Sequence, residues 1–460
     1  MAGNEMVMPR AGRRRVVASS LLGTTIEFFD LYIYGLAAGL YFGQLFFSEA
    51  SPAVGVIASF GTLAIGFLVR PIGGIVGGHF GDRYGRKKVL VASLIVMGVS
   101  TVAVGLLPTY ETIGIAAPIV LLVARLAQGL GAGAEYGGGV LILVEHMGKN
   151  RRGFWGSIVG CGIWLGIALG TLVFAVITRL PEDVQLWAWR IPFIASAALV
   201  FVGLWIRLGV AETPAFARIA KSVEAERMPI ARLFRGNKRP IILATLIALG
   251  AGASYQIYGT FGTSYAKSLD LPISTILGFQ FLNGVFAVAI TLFFGWLSDR
   301  TGRRILAIVG SVIVVPALYL FFWSLNEGLL PMVLVSLLVL EVGHSMVAAP
   351  LGAFLAEMFE TRERYTGVSI AYQIGAGAFA GLGPLIASTI LTTSGGPPNV
   401  YSVPLIIVVV SILAGTAAYL APDRARKPLP EAAEDDIDTG YDLRVGTDAG
   451  GTERPDLAKP

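Results

Sequence analysis

Long apolar runs alternate with short polar segments along most of the chain. A membrane-spanning helix needs about 20 mostly apolar residues, and twelve runs reach this length. The pattern therefore predicts an all-α membrane protein with twelve transmembrane helices. The predicted helices cover residues 17–40, 53–78, 89–108, 113–142, 153–178, 190–209, 240–262, 273–297, 305–324, 329–355, 367–391 and 401–420.

Lysine and arginine are concentrated in every second segment between these runs. With the N-terminus placed in the cytoplasm, thirty of the 35 basic residues lie on the cytoplasmic side, three lie outside and two lie within spans. Cytoplasmic segments of membrane proteins carry such an excess of Lys and Arg. The distribution predicts that both termini are cytoplasmic and that the number of spans is even.

The composition excludes several classes of protein. Hydrophobic residues make up 55% and charged residues 14% of the chain, and the mean hydropathy is +0.71. A soluble globular protein carries about 25% charged residues. The single Cys161 and three scattered histidines form no metal-ligand pattern, and no phosphate-binding loop with its lysine is present. We therefore expect a polytopic membrane protein that is not an enzyme and has no metal and no cofactor.

A motif occurs twice in the cytoplasmic segments. The segments after the second and eighth predicted helices both fit G-x-x-x-D-R-x-G-R-[KR], 217 residues apart. A looser echo links Glu145 and Arg152 with Glu357 and Arg364. Two echoes at nearly one offset predict duplicated six-helix halves. We assign residues 1–16 to a cytoplasmic tail, 17–209 to the N-terminal bundle, 210–239 to a cytoplasmic linker, 240–420 to the C-terminal bundle and 421–460 to a disordered cytoplasmic tail.

Ionisable residues within the spans are candidates for function, because a charge at the bilayer centre costs at least about 2.5–3.5 kcal/mol. Depth along the helices, at about 1.5 Å per residue, suggests two pairings: Arg125 with Glu27 or Asp30, and Arg70 with Glu135. The candidates are Glu27, Asp30, Arg70, Arg125, Glu135 and Glu341, with His344 one turn from Glu341.

The first group has a functional and a structural interpretation. The guanidinium of Arg125 suits a carboxylate, so an anionic substrate would compete with Glu27 and Asp30 for it. A buried acid released from its partner would take up a proton, which links substrate entry to proton entry. The alternative is a static ion pair that holds two helices together. Two acids against one arginine favour the functional interpretation.

The remaining ionisable residues each have two possible roles. Arg70 and Glu135 are expected to form a structural or gating pair, or else to take part in proton coupling. Glu341 and His344 form either a second proton site or a satisfied polar pair facing the cavity.

Four uncharged polar residues in the second half are expected to contact substrate, although each could instead serve packing. They are Tyr255, Tyr258, Gln280 and Gln373.

The repeated motif is expected to act as a pair of conformational gates, in which Asp82 and Asp299 contact helix N-termini or basic residues in one state only. The alternative is simple anchoring of the basic residues to anionic lipid. The gating set comprises Gly78, Asp82, Arg83, Gly85, Arg86, Asp299, Arg300, Gly302 and Arg303, together with Arg70.

The doubled motif resembles the signature of the major facilitator superfamily, and further motifs resemble its proton-coupled metabolite symporter family. The likeness covers roughly residues 15–420. Departures from the family pattern are Phe28-Phe29 between the acids of the first span and Tyr136 after Glu135. The supporting motifs are Glu27-Phe-Phe-Asp30, Arg70-Pro71, Arg125-Leu-Ala-Gln128-Gly129, Glu135-Tyr-Gly-Gly138, Trp189-Arg190, Glu212-Thr-Pro214 and Arg364-Tyr-Thr-Gly367.

The resemblance implies two six-helix bundles and carriage of citrate, 2-oxoglutarate, other dicarboxylates, shikimate, or proline and betaine with protons. We therefore expect a proton symporter that brings a small carboxylate-bearing metabolite into the cell. A proton-coupled exporter on the same fold and a transport-like membrane sensor remain alternatives. The expected partners are the small substrate, protons and membrane lipid, without nucleic acid, in a monomer in the bacterial inner membrane.

Overall fold

The computed structural model of the chain describes most of the apolar runs. The described residues are 10–84, 86–133, 141, 143, 144, 151–209, 238–360, 363–425, 427, 429 and 430. Within helices, the side chains of residues 10–16, 19, 77–79, 81–84, 86, 87, 90 and 206–209 lie outside this description. We call residues 10–209 the N-terminal half and residues 238–430 the C-terminal half.

Every regular element in the described ranges is a helix, which confirms the predicted fold class. Within the described residues, ten helices are long and apolar enough to cross a membrane, and two shorter apolar helices complete the set. These twelve match the predicted runs in order. They are α1 Ser20–Phe46, α2 Pro52–Val76, α3 Val91–Leu106, α4 Ala116–Gly133, α5 Arg152–Ile177, α6 Glu182–Trp205, α7 Arg239–Ser268, α8 Ile273–Thr301, α9 Arg303–Asn326, α10 Leu330–Ala356, α11 Arg364–Thr393 and α12 Pro404–Leu420.

Helix α2 is interrupted at Val69. One α-helical segment ends at Leu68 and the next begins at Arg70. Pro71 has no N–H group and its ring crowds the preceding turn, so the regular ladder cannot continue through it. The break falls immediately before Arg70, one of the candidate site residues.

Helices α1 and α7 each contain a π-helical turn at corresponding places in the two halves. The turns are Ala38–Phe42 and Ile257–Phe261, and their first residues are 219 positions apart, close to the motif spacing of 217. The two helices approach closely here, since a Cβ atom on Gly35 would lie 3.1 Å from Thr260. The repeat is therefore visible in the backbone as well as in the motifs.

Helix α5 of the N-terminal half packs between α1 of the same half and α8 of the C-terminal half. Gly166 allows contact with α1, where a Cβ atom would lie 2.7 Å from the Phe29 nitrogen. On the other side, the Cys161 thiol is 3.7 Å from the Val288 carbonyl of α8. Small residues at these contacts let the helix backbones approach.

The start of the C-terminal tail is ordered against the cytoplasmic helix ends. Arg152 Nη1 donates to the Lys427 carbonyl at 2.8 Å, and Arg364 Nη2 donates to the Pro430 carbonyl at 2.8 Å. The disorder predicted from residue 421 is therefore wrong for these residues, because arginines of both halves bind their carbonyl groups. Residues 431–460 of the predicted tail lie outside the described residues.

Candidate substrate and proton site

Glu27 and Arg70 form a buried ion pair between α1 and α2. Arg70 Nη1 lies 3.2 Å from Glu27 Oε1, and the two side chains are 2% and 5% exposed. The guanidinium also lies over the Phe67 ring, 4.5 Å from its centroid. Nε and Nη2 of Arg70 are buried without a hydrogen-bond partner. This arginine therefore has donor capacity that Glu27 does not use.

This pair replaces the pairings predicted from depth. The depth estimate assumed regular helices from residue 17 of α1 and through α2, whereas the first helix begins at Arg10 and α2 is interrupted at Val69. The prediction that Glu27 pairs with Arg125 is therefore wrong. Glu135, the partner predicted for Arg70, lies outside the described residues.

Asp30 and Arg125 are linked through two neutral side chains. Thr101 Oγ1 donates to Asp30 Oδ2 at 2.9 Å, Gln128 Nε2 donates to Thr101 Oγ1 at 2.8 Å, and Arg125 Nη1 donates to Gln128 Oε1. Arg125 makes no direct ion pair with Asp30 or Glu27 among the described residues. The predicted pairing of Arg125 with Asp30 is thus indirect and runs through a chain of hydrogen bonds. Gln128 lies on the same helix face as Arg125 and occupies its Nη1 donor.

The guanidinium of Arg125 is held in a narrow space. Its Cζ lies 3.7 Å from the centroid of the Tyr34 ring, which is a cation–π contact. A Cβ atom at Gly66 would lie 2.9 Å from Nη2, so only glycine leaves room for the guanidinium at this point of α2. Nε and Nη2 of Arg125 are buried and without a hydrogen-bond partner.

The four charged groups form one cluster. The guanidinium of Arg125 rests on Gly66 of α2 and lies close enough to Arg70 on the same helix for the two charges to interact. Two arginines and two carboxylates give this described cluster a formal net charge of zero. Because a net charge is costly in a buried site, any added anion favours the uptake of a proton.

The candidates of the C-terminal half form a separate polar cluster. Glu341 is fully buried on α10 and accepts hydrogen bonds from the hydroxyls of Tyr258, at 3.1 Å, and Ser345. Nδ1 of His344 lies 2.9 Å from the hydroxyl of Ser254. Glu341 therefore has a neutral donor at each oxygen and no ion pair within the described part of the chain.

Aromatic rings connect the two halves near these clusters. Tyr255 of α7 stacks on Tyr32 of α1 with ring centroids 6.4 Å apart. Trp164 of α5 lies 6.0 Å from Tyr255 and 5.5 Å from the ring of His344. Gln280 accepts from the hydroxyl of Tyr32 at 3.0 Å, which ties α8 to α1. The interface between the halves is thus lined by aromatic and amide groups.

Several polar atoms near the interface between the halves are buried without a hydrogen-bond partner. Among the predicted contact residues, they are the hydroxyl of Tyr255 and both amide atoms of Gln373. Tyr258 and Gln280 are instead satisfied by protein groups. Tyr255 and Gln373 therefore retain the capacity to bind a ligand.

The second copy of the repeated motif joins the two halves at the cytoplasmic end. The Asp299 carboxylate accepts hydrogen bonds from the backbone N–H groups of Gly153, at 2.8 Å, and Phe154, at 3.0 Å, at the N-terminus of α5. Arg303 binds both Asp299, at 2.9 Å, and Glu357, at 3.1 Å. Burial raises the pKa of Glu357, and the charge of Arg303 opposes this effect.

The other gating candidates are placed as follows. Arg300 lies over the Trp296 ring, 4.1 Å from its centroid. Gly302 has φ = 97°, a conformation that favours glycine, and a Cβ atom there would lie 2.5 Å from the Asp423 carboxylate. The structure does not describe most of the first copy of the motif. Outside the description lie Gly85, the side chains of Asp82, Arg83 and Arg86, and the environment of Gly78.

The sequence alone predicts no role for Thr101, Gln128 or Trp164. A signal for Gln128 was available, because a residue three positions from Arg125 lies on the same helix face. Thr101 and Trp164 give no comparable signal, since hydroxyls and aromatic rings occur throughout the spans.

Comparison with protein families gives one match that covers most of the chain. The model of the Major Facilitator Superfamily matches residues 20–291 and 279–453. Among solved structures, the D-xylose–proton symporter matches with a TM-score of 0.69 at 16% identity, over 91% of this chain and all of that chain. The xylose transporter XylE from E. coli, in a partially occluded inward open conformation, matches with a TM-score of 0.70 at 17% identity, over 90% and 99%. The structural likeness supports the fold.

Curated relatives are similar over most of their own length. The inner membrane metabolite transport protein YhjE of Escherichia coli is 38% identical over 84% of this chain and 90% of the relative. The shikimate transporter of E. coli is 33% identical over 90% and 95%. The proline/betaine transporter of Salmonella typhimurium is 30% identical over 94% and 89%. All three are described as transport proteins.

Proposed function

The chain belongs to the major facilitator superfamily, and we propose that it carries a small carboxylate-bearing metabolite into the cell together with protons. It is a multi-pass transporter of the bacterial inner membrane, similar to metabolite, shikimate and proline/betaine carriers. Transport would proceed by alternating access between the two halves.

The observation that carries the proposal is the balance of charge in the buried cluster. Glu27, Asp30, Arg70 and Arg125 are each at most 4% exposed and together carry no net charge. A bound carboxylate adds one negative charge in a site with little water, which is unfavourable unless a proton enters with it. The cluster would therefore bind one proton for each negative charge of the substrate.

The substrate-binding groups follow from unused hydrogen-bonding capacity. Nε and Nη2 of both arginines are buried and lack partners, and this fork geometry matches a carboxylate. The hydroxyl of Tyr255 and the amide of Gln373 offer neutral contacts from the C-terminal half. We infer that the carboxylate binds between Arg70 and Arg125 and that the rest of the molecule faces the C-terminal half.

Contacts at both ends of the molecule support alternating access. At the cytoplasmic end, Asp299 of the C-terminal half binds the N-terminus of α5 in the N-terminal half. At the other end, the ammonium of Lys267 binds the Leu40 carbonyl in the π-helical turn of α1. Each contact joins the two halves, so each must break for one side to open.

A binding screen followed by a flux assay tests this function. The purified protein, the Arg70→Gln variant and an Arg179→Gln control, which changes an exposed arginine at the end of α5, are screened by thermal shift against carboxylates, zwitterions and quaternary amines. We expect a carboxylate to stabilise the native and control proteins but not Arg70→Gln. Proteoliposomes should then accumulate that compound only with an inward pH gradient. Equal accumulation without the gradient would exclude symport.

A further inference from the structure

We propose that Thr101 and Gln128 are positioning residues that transmit the protonation of Asp30 to Arg125. This inference rests on the proposed symport and adds residues to its coupling step. The chain of hydrogen bonds crosses three helices, from Asp30 on α1 through Thr101 on α3 to Gln128 and Arg125 on α4. All four side chains are at most 2% exposed, so water does not compete for these bonds.

The direction of each hydrogen bond follows from the chemistry of Arg125. A guanidinium can only donate, so Gln128 must present Oε1 to it and therefore turns Nε2 toward Thr101. Thr101 Oγ1 accepts this bond at 2.8 Å, which leaves its one hydrogen for another acceptor. All three donors thus point from Arg125 toward Asp30.

Thr101 has two acceptors within reach for its single hydrogen. One is Asp30 Oδ2 at 2.9 Å and the other is the Met97 carbonyl at 3.0 Å. An ionised Asp30 can only accept, so it attracts the hydroxyl hydrogen. A protonated Asp30 donates to Thr101 instead, and the hydroxyl then turns to Met97. The protonation state of Asp30 thus selects between two hydrogen-bond patterns.

The hydrogen-bond pattern at Thr101 affects Arg125 through Gln128. When Asp30 is ionised, the aligned hydrogen bonds of Gln128 and Thr101 end at its negative charge. This alignment strengthens the bond from Arg125 Nη1 to Gln128. With Asp30 neutral, that charge is gone, and Arg125 is held mainly by the ring of Tyr34. Its guanidinium can then turn its unpartnered nitrogens to the carboxylate of the substrate.

Among the described residues, few other charges act on Asp30. Glu27 lies on the same helix, Arg125 on α4, and Arg70 on α2 is paired with Glu27. The described parts of α3, α5 and α6 carry charged side chains only at or near their ends. The thiol of Cys161 on α5 faces Val288 of the C-terminal half. The relay is therefore the main polar route between Asp30 and the arginines.

Proton binding alone tests the relay, without any substrate. The purified protein is titrated by infrared difference spectroscopy, and the carboxyl band that disappears in Asp30→Asn reports protonation of Asp30. Thr101→Val removes the hydroxyl at nearly constant shape, so the ionised carboxylate loses a donor. We expect the midpoint of the band to rise by about one pH unit. Gln128→Leu should raise it in the same direction although Gln128 does not touch Asp30.

Matched variants separate this effect from a change in packing. Thr101→Ser keeps the hydroxyl, and Ser100→Ala removes a neighbouring hydroxyl that donates to the Val96 carbonyl of its own helix, so both should leave the midpoint unchanged. If Thr101→Val does not fold, Thr101→Ala and Gln128→Leu carry the test.

An unchanged midpoint in Thr101→Val, or in Thr101→Ala where that variant replaces it, would overturn the proposal, and so would a shift in Thr101→Val with none in Gln128→Leu. Failure of the proposed function is recognised separately, as absence of gradient-driven accumulation while the titration behaves as expected.

Discussion

Two fully buried carboxylates, Asp30 in the N-terminal half and Glu341 in the C-terminal half, have contrasting surroundings. Asp30 is connected to an arginine by a chain of aligned donors, and its Oδ1 atom is buried without a hydrogen-bond partner. Glu341 has a hydroxyl donor on each oxygen and no ion pair within the described residues. The first environment is incomplete and charged, whereas the second is complete and neutral.

The difference between the two carboxylates suggests a different role for each half. A carboxylate with unused acceptor capacity beside unused guanidinium donors can exchange partners when an anion or a proton arrives. A carboxylate that is satisfied by neutral donors gains little from such an exchange. We therefore propose proton coupling in the N-terminal half and neutral substrate contacts in the C-terminal half.

The largest effect is expected for Asp30→Asn, which mimics a permanently protonated residue. Concentrative uptake driven by a pH gradient should be lost, because no proton can be released inside. Exchange of substrate across the membrane should persist, because the loaded transporter can still change state. Asp270→Asn, the same change at an exposed residue with φ = 55°, is the matched control and should accumulate substrate normally. Retained accumulation in Asp30→Asn would assign the proton to another group.

Arg70→Gln should have the next largest effect. Removing one partner of a buried ion pair costs roughly 3–5 kcal/mol, because Glu27 would keep a charge that has lost its cation. We expect a lower melting temperature and loss of the substrate-induced thermal shift. The double variant Glu27→Gln with Arg70→Gln should recover most of the melting temperature but not the binding. Recovery of binding in the double variant would remove Arg70 from the substrate site.

Gly66→Ala tests the position of Arg125 without changing a charge. The added methyl group would lie 2.9–3.0 Å from three atoms of the guanidinium, which must move. Overpacking of this kind costs roughly 1–3 kcal/mol, so we expect weaker substrate binding with little change in the pH dependence of uptake. Gly61→Ala on the same helix has no atom within 4 Å of the new methyl and is the control. Equal affinity in both variants would indicate that Arg125 does not contact substrate.

Glu341→Gln should have the smallest effect. Gln is similar in shape, and the hydroxyls of Tyr258 and Ser345 can reorient to accept from its amide, so the cost is about 1 kcal/mol. Accumulation driven by a pH gradient should remain, measured in the same proteoliposomes as Asp30→Asn. If Glu341→Gln instead loses accumulation and keeps exchange, the C-terminal half contains a proton site and the contrast between the halves fails.

The fold could be predicted from the sequence because apolar runs and basic segments directly reflect the membrane. All twelve runs correspond to helices, and the charged candidates that the structure describes, all except Glu135, fall inside them. The pairing of the charges could not be predicted, because depth along a helix does not determine which of several charged side chains come into contact. The break before Arg70 and the π-helical turns also alter the faces that a regular helix would present.

The relay between Asp30 and Arg125 was even less accessible to sequence reasoning. Thr101 is uncharged, and its role depends on α3 reaching α1 at the level of Asp30, which is a tertiary contact. Charged residues within spans are conspicuous because they are costly, whereas a hydroxyl in a span is common. Sequence reasoning therefore found the ends of the chain of hydrogen bonds, Asp30 and Arg125, and missed both of its intermediate links.

The central claim is that the N-terminal cluster stays neutral by taking up one proton with each negative charge of the substrate. The most direct measurement is uptake of a monocarboxylate identified in the binding screen, in proteoliposomes with either a pH gradient alone or a membrane potential alone. The account predicts accumulation with the pH gradient and none with the potential, because an anion and one proton carry no net charge. Accumulation driven by the potential alone would contradict it.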